Sequence, residues 1–176
     1  MSSFLQNPWP RGIPVLFIPG NAGHYKQGRS LASASTLLAD EMKTKLGLSL
    51  APEFDFFTVD SLEELSALNG ELLLEQSKFV NDCIRAILDV YRYLPEEKTV
   101  DHPARPTSVL LVGHSMGGLI ASSVFTQDNY LPGSVTTILT LNTPHNGHPF
   151  FYRKSLADYY SKTHQYWKEN IQTCLY

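Results

Sequence analysis

The 176-residue chain is long enough to bury a hydrophobic core as one domain. Its net charge of -3 at pH 7 gives no electrostatic basis for binding nucleic acid. No segment approaches the roughly 20 consecutive apolar residues of a transmembrane helix. The first residues also lack the basic and apolar regions of a signal peptide. The two cysteines, Cys83 and Cys174, match neither a metal-binding nor a disulfide pattern.

The first third of the chain predicts two strands separated by a helix. Residues 1–12 are rich in proline and polar side chains and predict an irregular lead-in. The apolar run Ile13–Ile18 is typical of a strand buried on both faces, and it ends in a loop of small residues, Pro19–Gly23. Apolar residues at helical spacing predict a helix over Ser30–Leu46, and the aromatic segment Phe54–Val59 predicts the second strand.

The middle of the chain continues this alternation. The strongest helical pattern runs from about Leu72 to Leu94, with an apolar stripe opposite charged side chains. Strands are predicted over Ser108–Val112 and Val135–Leu141, with a short helix from near Gly117 to Thr126 between them. Strands that alternate with helices predict an α/β fold, a parallel sheet with helices on both faces.

The last part of the chain differs in composition. We assign residues 13–148 to the α/β core and residues 149–176 to an aromatic-rich tail without a strand. Within the tail, a helix is predicted from about Ser155 to Asn170, and it is a candidate lid.

The segment Gly113-His114-Ser115-Met116-Gly117 fits the pattern G-x-S-x-G, directly after an apolar strand and before a helical stretch. In this context the serine lies on a tight, strained turn that exposes its hydroxyl at the end of the strand. Glycine is needed at positions 113 and 117 because these residues crowd together in the turn. The motif therefore predicts Ser115 as the nucleophile of a serine hydrolase of the α/β-hydrolase type.

Two backbone amides are predicted to form the oxyanion hole. The N–H of Met116 is one, as the residue after the nucleophile, and the N–H of Asn21, in the loop after the first strand, is the other. The alternative is that Pro19–Gly23 is only a glycine-rich turn.

A catalytic acid and histidine are not evident in the chain. In this fold they follow the serine in the order acid, then histidine, and the late histidines, His145, His148 and His164, come too early for the histidine loop. His114 is expected to be structural because it points away from Ser115, whereas His145 follows the fourth strand and is predicted to line the pocket. We therefore expect a hydrolase core that is incomplete at its C-terminal side. No metal or organic cofactor is implied.

Several segments together resemble the GPI inositol-deacylases (the PGAP1/Bst1 family). The most specific is Ile18–Gln27, with the sequence Ile-Pro-Gly-Asn-Ala-Gly-His-Tyr-Lys-Gln. Further matches are Phe54–Asp60, Phe79–Asp82, Gly113–Gly118, Thr143–His145 and Tyr166–Trp167. The resemblance covers roughly residues 8 to 170, the N-terminal part of the hydrolase domain.

The resemblance implies removal of the acyl chain from the inositol of a glycosylphosphatidylinositol (GPI) anchor, with Ser115 as nucleophile. It also implies a multi-pass protein of the endoplasmic reticulum membrane that supports export of GPI-anchored proteins. The substrate would be a GPI-anchored protein or lipid ester, and the membrane contact would come from segments outside these residues. Two alternatives stay open: a soluble lipase or esterase, and a truncated, non-catalytic fragment that binds a lipid or a partner.

Overall fold

The computed structural model describes residues 10–45, 47, 52–61, 69–94, 105–147 and 153–170. Most of the predicted lead-in, both ends of the predicted tail, His148 and Cys174 lie outside the described residues.

A four-stranded sheet forms the centre of the described structure. Its strands are β1 (Ile13–Ile18), β2 (Phe54–Thr58), β3 (Val109–His114) and β4 (Val135–Leu141). All neighbours are parallel and the order is β2-β1-β3-β4. The predicted parallel sheet is therefore confirmed. β3 extends beyond its predicted end at Val112, because Gly113 and His114 still pair with β4.

β1 is buried on both faces, as its unbroken apolar sequence predicts. Leu16 and Ile18 belong to one hydrophobic cluster, while Val15 and Phe17 belong to a second cluster on the opposite face. Because side chains alternate along a strand, each face of β1 needs its own covering layer.

Helices cover both faces of the sheet, as predicted. They are α1 (Gly28–Lys45), α2 (Gly70–Arg92), α3 (Met116–Ser123) and α4 (Lys154–Asn170). The larger cluster, with Leu16 and Ile18, contains buried side chains of α2, α3 and α4. The smaller cluster includes Leu31 of α1.

α1 forms close to its predicted bounds, but its apolar spacing is poorly buried. Leu38 is 56% exposed and the neighbouring Leu37 is 67% exposed. The close approach to the sheet lies at the start of the helix, where a Cβ on Gly28 would come within 3.2 Å of the Phe17 and Thr58 side chains. Helical periodicity thus predicted the helix correctly, but it did not predict which of its side chains are buried. The start of α1 packs closely against the sheet, whereas Leu37 and Leu38 further along are exposed.

α4 confirms the helix predicted near the end of the chain. Leu156, Tyr159 and Tyr160 are buried in the larger cluster, which joins α4 to the core. A buried polar contact strengthens this packing, since the Ser77 hydroxyl lies 2.6 Å from Ser123 Oγ and 2.8 Å from the Tyr159 hydroxyl. Ser123 and Tyr159 are also hydrogen-bonded to each other. The boundary at residue 149 and a lid role for α4 stay predictions.

The Tyr159→Phe substitution is expected to lower the free energy of unfolding by about 1 kcal/mol, the usual net value of a buried hydrogen bond. The loss is limited because each serine hydroxyl still has an acceptor for its one proton, either the other serine or a backbone carbonyl oxygen, that of Leu73 for Ser77 and that of Ile120 for Ser123. Urea unfolding at neutral pH measures the change. Tyr93→Phe, at a side chain that is 78% exposed, is the matched control and should change nothing.

The same substitution should alter the response to alkaline pH. Burial raises the pKa of Tyr159 to about 12, from its ordinary value of 10.0. Between pH 10 and 12 the native state therefore holds a proton that the unfolded chain has lost, so stability falls as pH rises. We expect the advantage of the unsubstituted protein over Tyr159→Phe to shrink across this interval, and an unchanged difference would contradict the assignment.

Candidate active site

The predicted nucleophile lies where the direction of the sheet reverses. From β1 the chain crosses to β2 on one side, and it then returns to place β3 on the other side. In open α/β sheets, ligands bind at the carboxyl ends of the strands at such a switch point. The loops after β1 and β3 meet there, and they carry Gly20–Asn21 and Ser115.

Ser115 has the strained backbone that its motif predicts. Its φ is 54° and its ψ is -123°, a conformation that side chains other than glycine rarely adopt. The turn is fixed on both sides, because the Ser115 N–H donates to the Leu141 carbonyl at 2.8 Å and Gly118 N donates to the Ser115 carbonyl at 3.1 Å. The residue is half-buried, so the turn keeps it at the surface of the core.

The two motif glycines allow this turn to pack. A Cβ on Gly113 would lie 2.5 Å from the Gly117 carbonyl oxygen and from Gly118 N. A Cβ on Gly117 would overlap the backbone at Ile18 and Pro19, and lie 2.8 Å from the carbonyl carbon of Ile18. Any larger side chain would therefore separate α3 from β3 or from the end of β1.

The loop after β1 packs directly against Ser115. A Cβ on Gly20 would lie 2.8 Å from Ser115 Cβ and 3.3 Å from Ser115 Oγ. The loop closes through a hydrogen bond of 2.8 Å from Gly23 N to the Gly20 carbonyl, with Ala22 at a positive φ of 51°. Asn21 follows Gly20 in this turn. Met116 begins α3, whose first amides have no acceptor within the helix.

Thr143–His145 continues from β4 along the same end of the sheet. Thr143 contacts the start of α3, because a Cβ on Gly118 would overlap the Thr143 side chain. His145 is exposed, and its Nε2 lies 3.1 Å from Thr140 Oγ1. Its carbonyl oxygen lies 2.6 Å from His164 Nε2.

The described residues do not supply a base for Ser115. Within these ranges, no side chain makes a hydrogen bond with the Ser115 hydroxyl, and the His145 ring faces Thr140 instead. Asp128 is exposed and forms an ion pair with Lys78 at 3.1 Å. The hydrogen bond and charge of Lys78 lower the pKa of Asp128. This carboxylate is therefore part of a surface ion pair.

A cavity of about 240 Å³ lies beside Gly20, and sequence reasoning did not predict it. Its buried floor consists of aliphatic side chains of β1, α2 and α3 and of the residue that follows β2: Ile18, Val80, Ile120 and Val59. Residues on the exposed side of α2 form one wall. Phe79 is part of this wall, and although it belongs to the predicted apolar stripe of α2 it is 49% exposed.

Two further properties concern the parts of the chain that the structure describes. No helix there is both long enough and apolar enough to cross a bilayer. No group of three or more histidine, cysteine, aspartate or glutamate side chains there is arranged to hold a metal ion.

A strained serine turn that joins a central parallel strand to a helix has the geometry of the nucleophile elbow, and together with the sheet it defines the α/β-hydrolase class. Within this class the chain belongs to the family of the PGAP1-like alpha/beta domain, whose sequence profile matches residues 10–174. The resemblance stated from the sequence is thereby confirmed.

The chain is similar to fungal GPI inositol-deacylases. The chain is 43% identical to that of Kluyveromyces lactis over 156 residues, which covers 89% of this chain and 16% of that protein. It is 42% identical to the GPI inositol-deacylase of Eremothecium gossypii over 162 residues, and 42% identical to that of Schizosaccharomyces pombe over 171 residues. The chain spans about 15% of the length of such relatives.

Proposed function

We propose that this chain carries the nucleophile and the oxyanion loop of a serine hydrolase that removes the inositol-linked acyl chain of GPI anchors. The observation that carries the proposal is the approach of Gly20 to Ser115, in a chain about 40% identical to GPI inositol-deacylases. By the same relationship, the proposed location is the endoplasmic reticulum membrane, with a role in export of GPI-anchored proteins.

The proposed reaction is acyl transfer through Ser115. A base takes the proton of the hydroxyl while Oγ attacks the ester carbonyl, and the resulting oxyanion accepts hydrogen bonds from the amides of Asn21 and Met116. The tetrahedral intermediate collapses, the C–O bond to inositol breaks, and the inositol oxygen takes the proton. Water then attacks the acyl-serine, releases the fatty acid and restores the hydroxyl.

The start of α3 supports this mechanism electrostatically. Amides at the N-terminus of a helix carry partial positive charge, which favours an oxyanion next to Met116. The base is proposed to be a histidine outside the described residues, because His145 makes no hydrogen bond with the Ser115 hydroxyl and its Nε2 lies 3.1 Å from Thr140 Oγ1 instead. His145 stays a proposed pocket residue.

The test uses a polypeptide that joins this chain to the remainder of a GPI inositol-deacylase. Incubation with an inositol-acylated GPI precursor should remove one acyl group, detected as released fatty acid by mass spectrometry. Diacylglycerol incubated in parallel should not be hydrolysed. Hydrolysis of diacylglycerol with the acyl-inositol left intact would instead support the lipase alternative. No release from either lipid, with intact binding, would support a non-catalytic fragment.

A further inference from the structure

We propose that the cavity between α2 and the ends of β1 and β2 receives the acyl chain of the ester substrate. This inference rests on the proposed hydrolysis at Ser115 and adds to it the part of the protein that selects the acyl group. It depends on the location, the chemical character and the size of the cavity.

The location of the cavity connects it to the nucleophile. Gly20 lines the cavity, and the same residue packs against the side chain of Ser115 at near-contact distance. An ester whose carbonyl carbon is at Ser115 Oγ can therefore pass its alkyl chain over Gly20 into this space. A Cβ at position 20 would lie 2.8 Å from Ser115 Cβ and 3.0 Å from the His114 carbonyl oxygen, so the glycine is what lets the edge of the cavity approach Ser115.

The floor of the cavity suits a hydrocarbon chain. Ile18, Val59, Val80 and Ile120 are each no more than 5% exposed, and all four present aliphatic groups. Leu72 is half-buried at the wall formed by α2. Phe79 of the same wall is half-exposed, which is costly for a large apolar side chain in water but favourable beside an alkyl chain.

A carboxylate at the entrance disfavours the other end of the substrate. Glu75 lines the cavity and is exposed, and a carboxylate repels a phosphate group. This charge favours the orientation with the acyl chain inside the cavity and the phosphoinositol headgroup on the solvent side.

The size of the cavity sets a limit on the acyl group. A cavity of about 240 Å³ holds an alkyl chain of limited length. Longer chains must extend beyond the floor or emerge from the entrance. We therefore expect affinity to rise about four-fold with each methylene that enters the cavity, and then to level off.

The test measures binding of straight-chain methyl esters of roughly four to twelve carbons by calorimetry. Ser115→Ala is the background, because it cannot turn the esters over. Leu72→Trp reduces the space, so the plateau in affinity should occur at a shorter chain. Leu72→Ala enlarges the space and should move the plateau to a longer chain. Val90→Trp, at a 43% exposed position of α2 away from the cavity, is the matched control.

Shifts of the plateau in opposite directions for the two Leu72 variants would support the proposal. Identical profiles in both variants, or the same change in Val90→Trp, would overturn it. Binding that ignores chain length and is displaced by free inositol would assign the cavity to the headgroup and would also overturn it. The proposed hydrolysis would be contradicted by a different result, in which these binding profiles are found but the protein with an intact Ser115 never releases a fatty acid.

Discussion

In a polypeptide that joins residues 1–176 to the remainder of a GPI inositol-deacylase, replacement of Ser115 by alanine is expected to abolish covalent labelling by a fluorophosphonate probe. We expect a loss of at least about 1,000-fold, because the hydroxyl that reacts with the probe is removed. The probe phosphonylates a serine whose hydroxyl is activated and exposed. Ser115 satisfies the second condition, since the turn with φ of 54° keeps it only half-buried at the end of β3. In-gel fluorescence after a fixed labelling time measures the loss.

Ser122→Ala is the matched control for this experiment. Its hydroxyl is buried in α3 and donates to the Gly118 carbonyl at 2.9 Å, so its removal leaves the turn in place. Labelling should persist in this variant. Equal labelling of Ser115→Ala and the unsubstituted protein would contradict the assignment of the nucleophile.

The same probe distinguishes where the base lies. A polypeptide that carries the remainder of a GPI inositol-deacylase should label strongly, whereas residues 1–176 alone should label weakly, because no described side chain accepts the Ser115 proton. Strong, Ser115-dependent labelling of the short chain would contradict this inference. It would also make His145 the first histidine to substitute.

Gly117→Ala is expected to destabilise the protein by about 3 kcal/mol, at the upper end of the usual effect of overpacking. The added methyl group would overlap the backbone of Ile18 and Pro19, which cannot rotate away as a side chain can. Relief of the overlap would move the end of β1 away from α3. Because Asn21 follows that end and Met116 begins α3, the proposed oxyanion donors would separate, and labelling should fall even where the protein remains folded.

Gly147→Ala provides the control for the glycine substitution. A Cβ on Gly147 would have no neighbour within 4 Å, and its φ is not in the positive range. Stability from urea unfolding and labelling should both remain unchanged in this variant. A Gly117→Ala protein with normal stability and normal labelling would contradict the close packing of α3 on β1.

Local sequence patterns were sufficient for the elements and for the turn at Ser115. The apolar run of β1 gave its bounds correctly, since a strand buried on both faces needs continuous apolar residues and a loop does not. β4 also has its predicted bounds, although it contains three threonines and Val135 is its one buried residue. Gly113 is needed for a local reason, because a Cβ there would meet the backbone of Gly117 and Gly118. Gly117 is needed for a tertiary reason, because a Cβ there would meet the backbone of Ile18 and Pro19.

Tertiary structure alone decided how distant residues combine. The strand order β2-β1-β3-β4 brings Gly20 to Ser115, although 94 residues lie between them in the sequence. The cavity exists because β1, β2, α2 and α3 meet there, and the sequence of any one of them contains no record of the gap. The bonds among Ser77, Ser123 and Tyr159 depend equally on how α2, α3 and α4 pack.

One physical cause separates the features that the sequence predicted from those that only the folded structure decided. Periodicity and turn chemistry act between neighbours in the chain, so the amino-acid sequence by itself determined the helices, the strands and the serine turn. Packing acts between neighbours in space, so only the folded sheet decided that the ring of His145 faces Thr140, and that an apolar space lies next to the nucleophile.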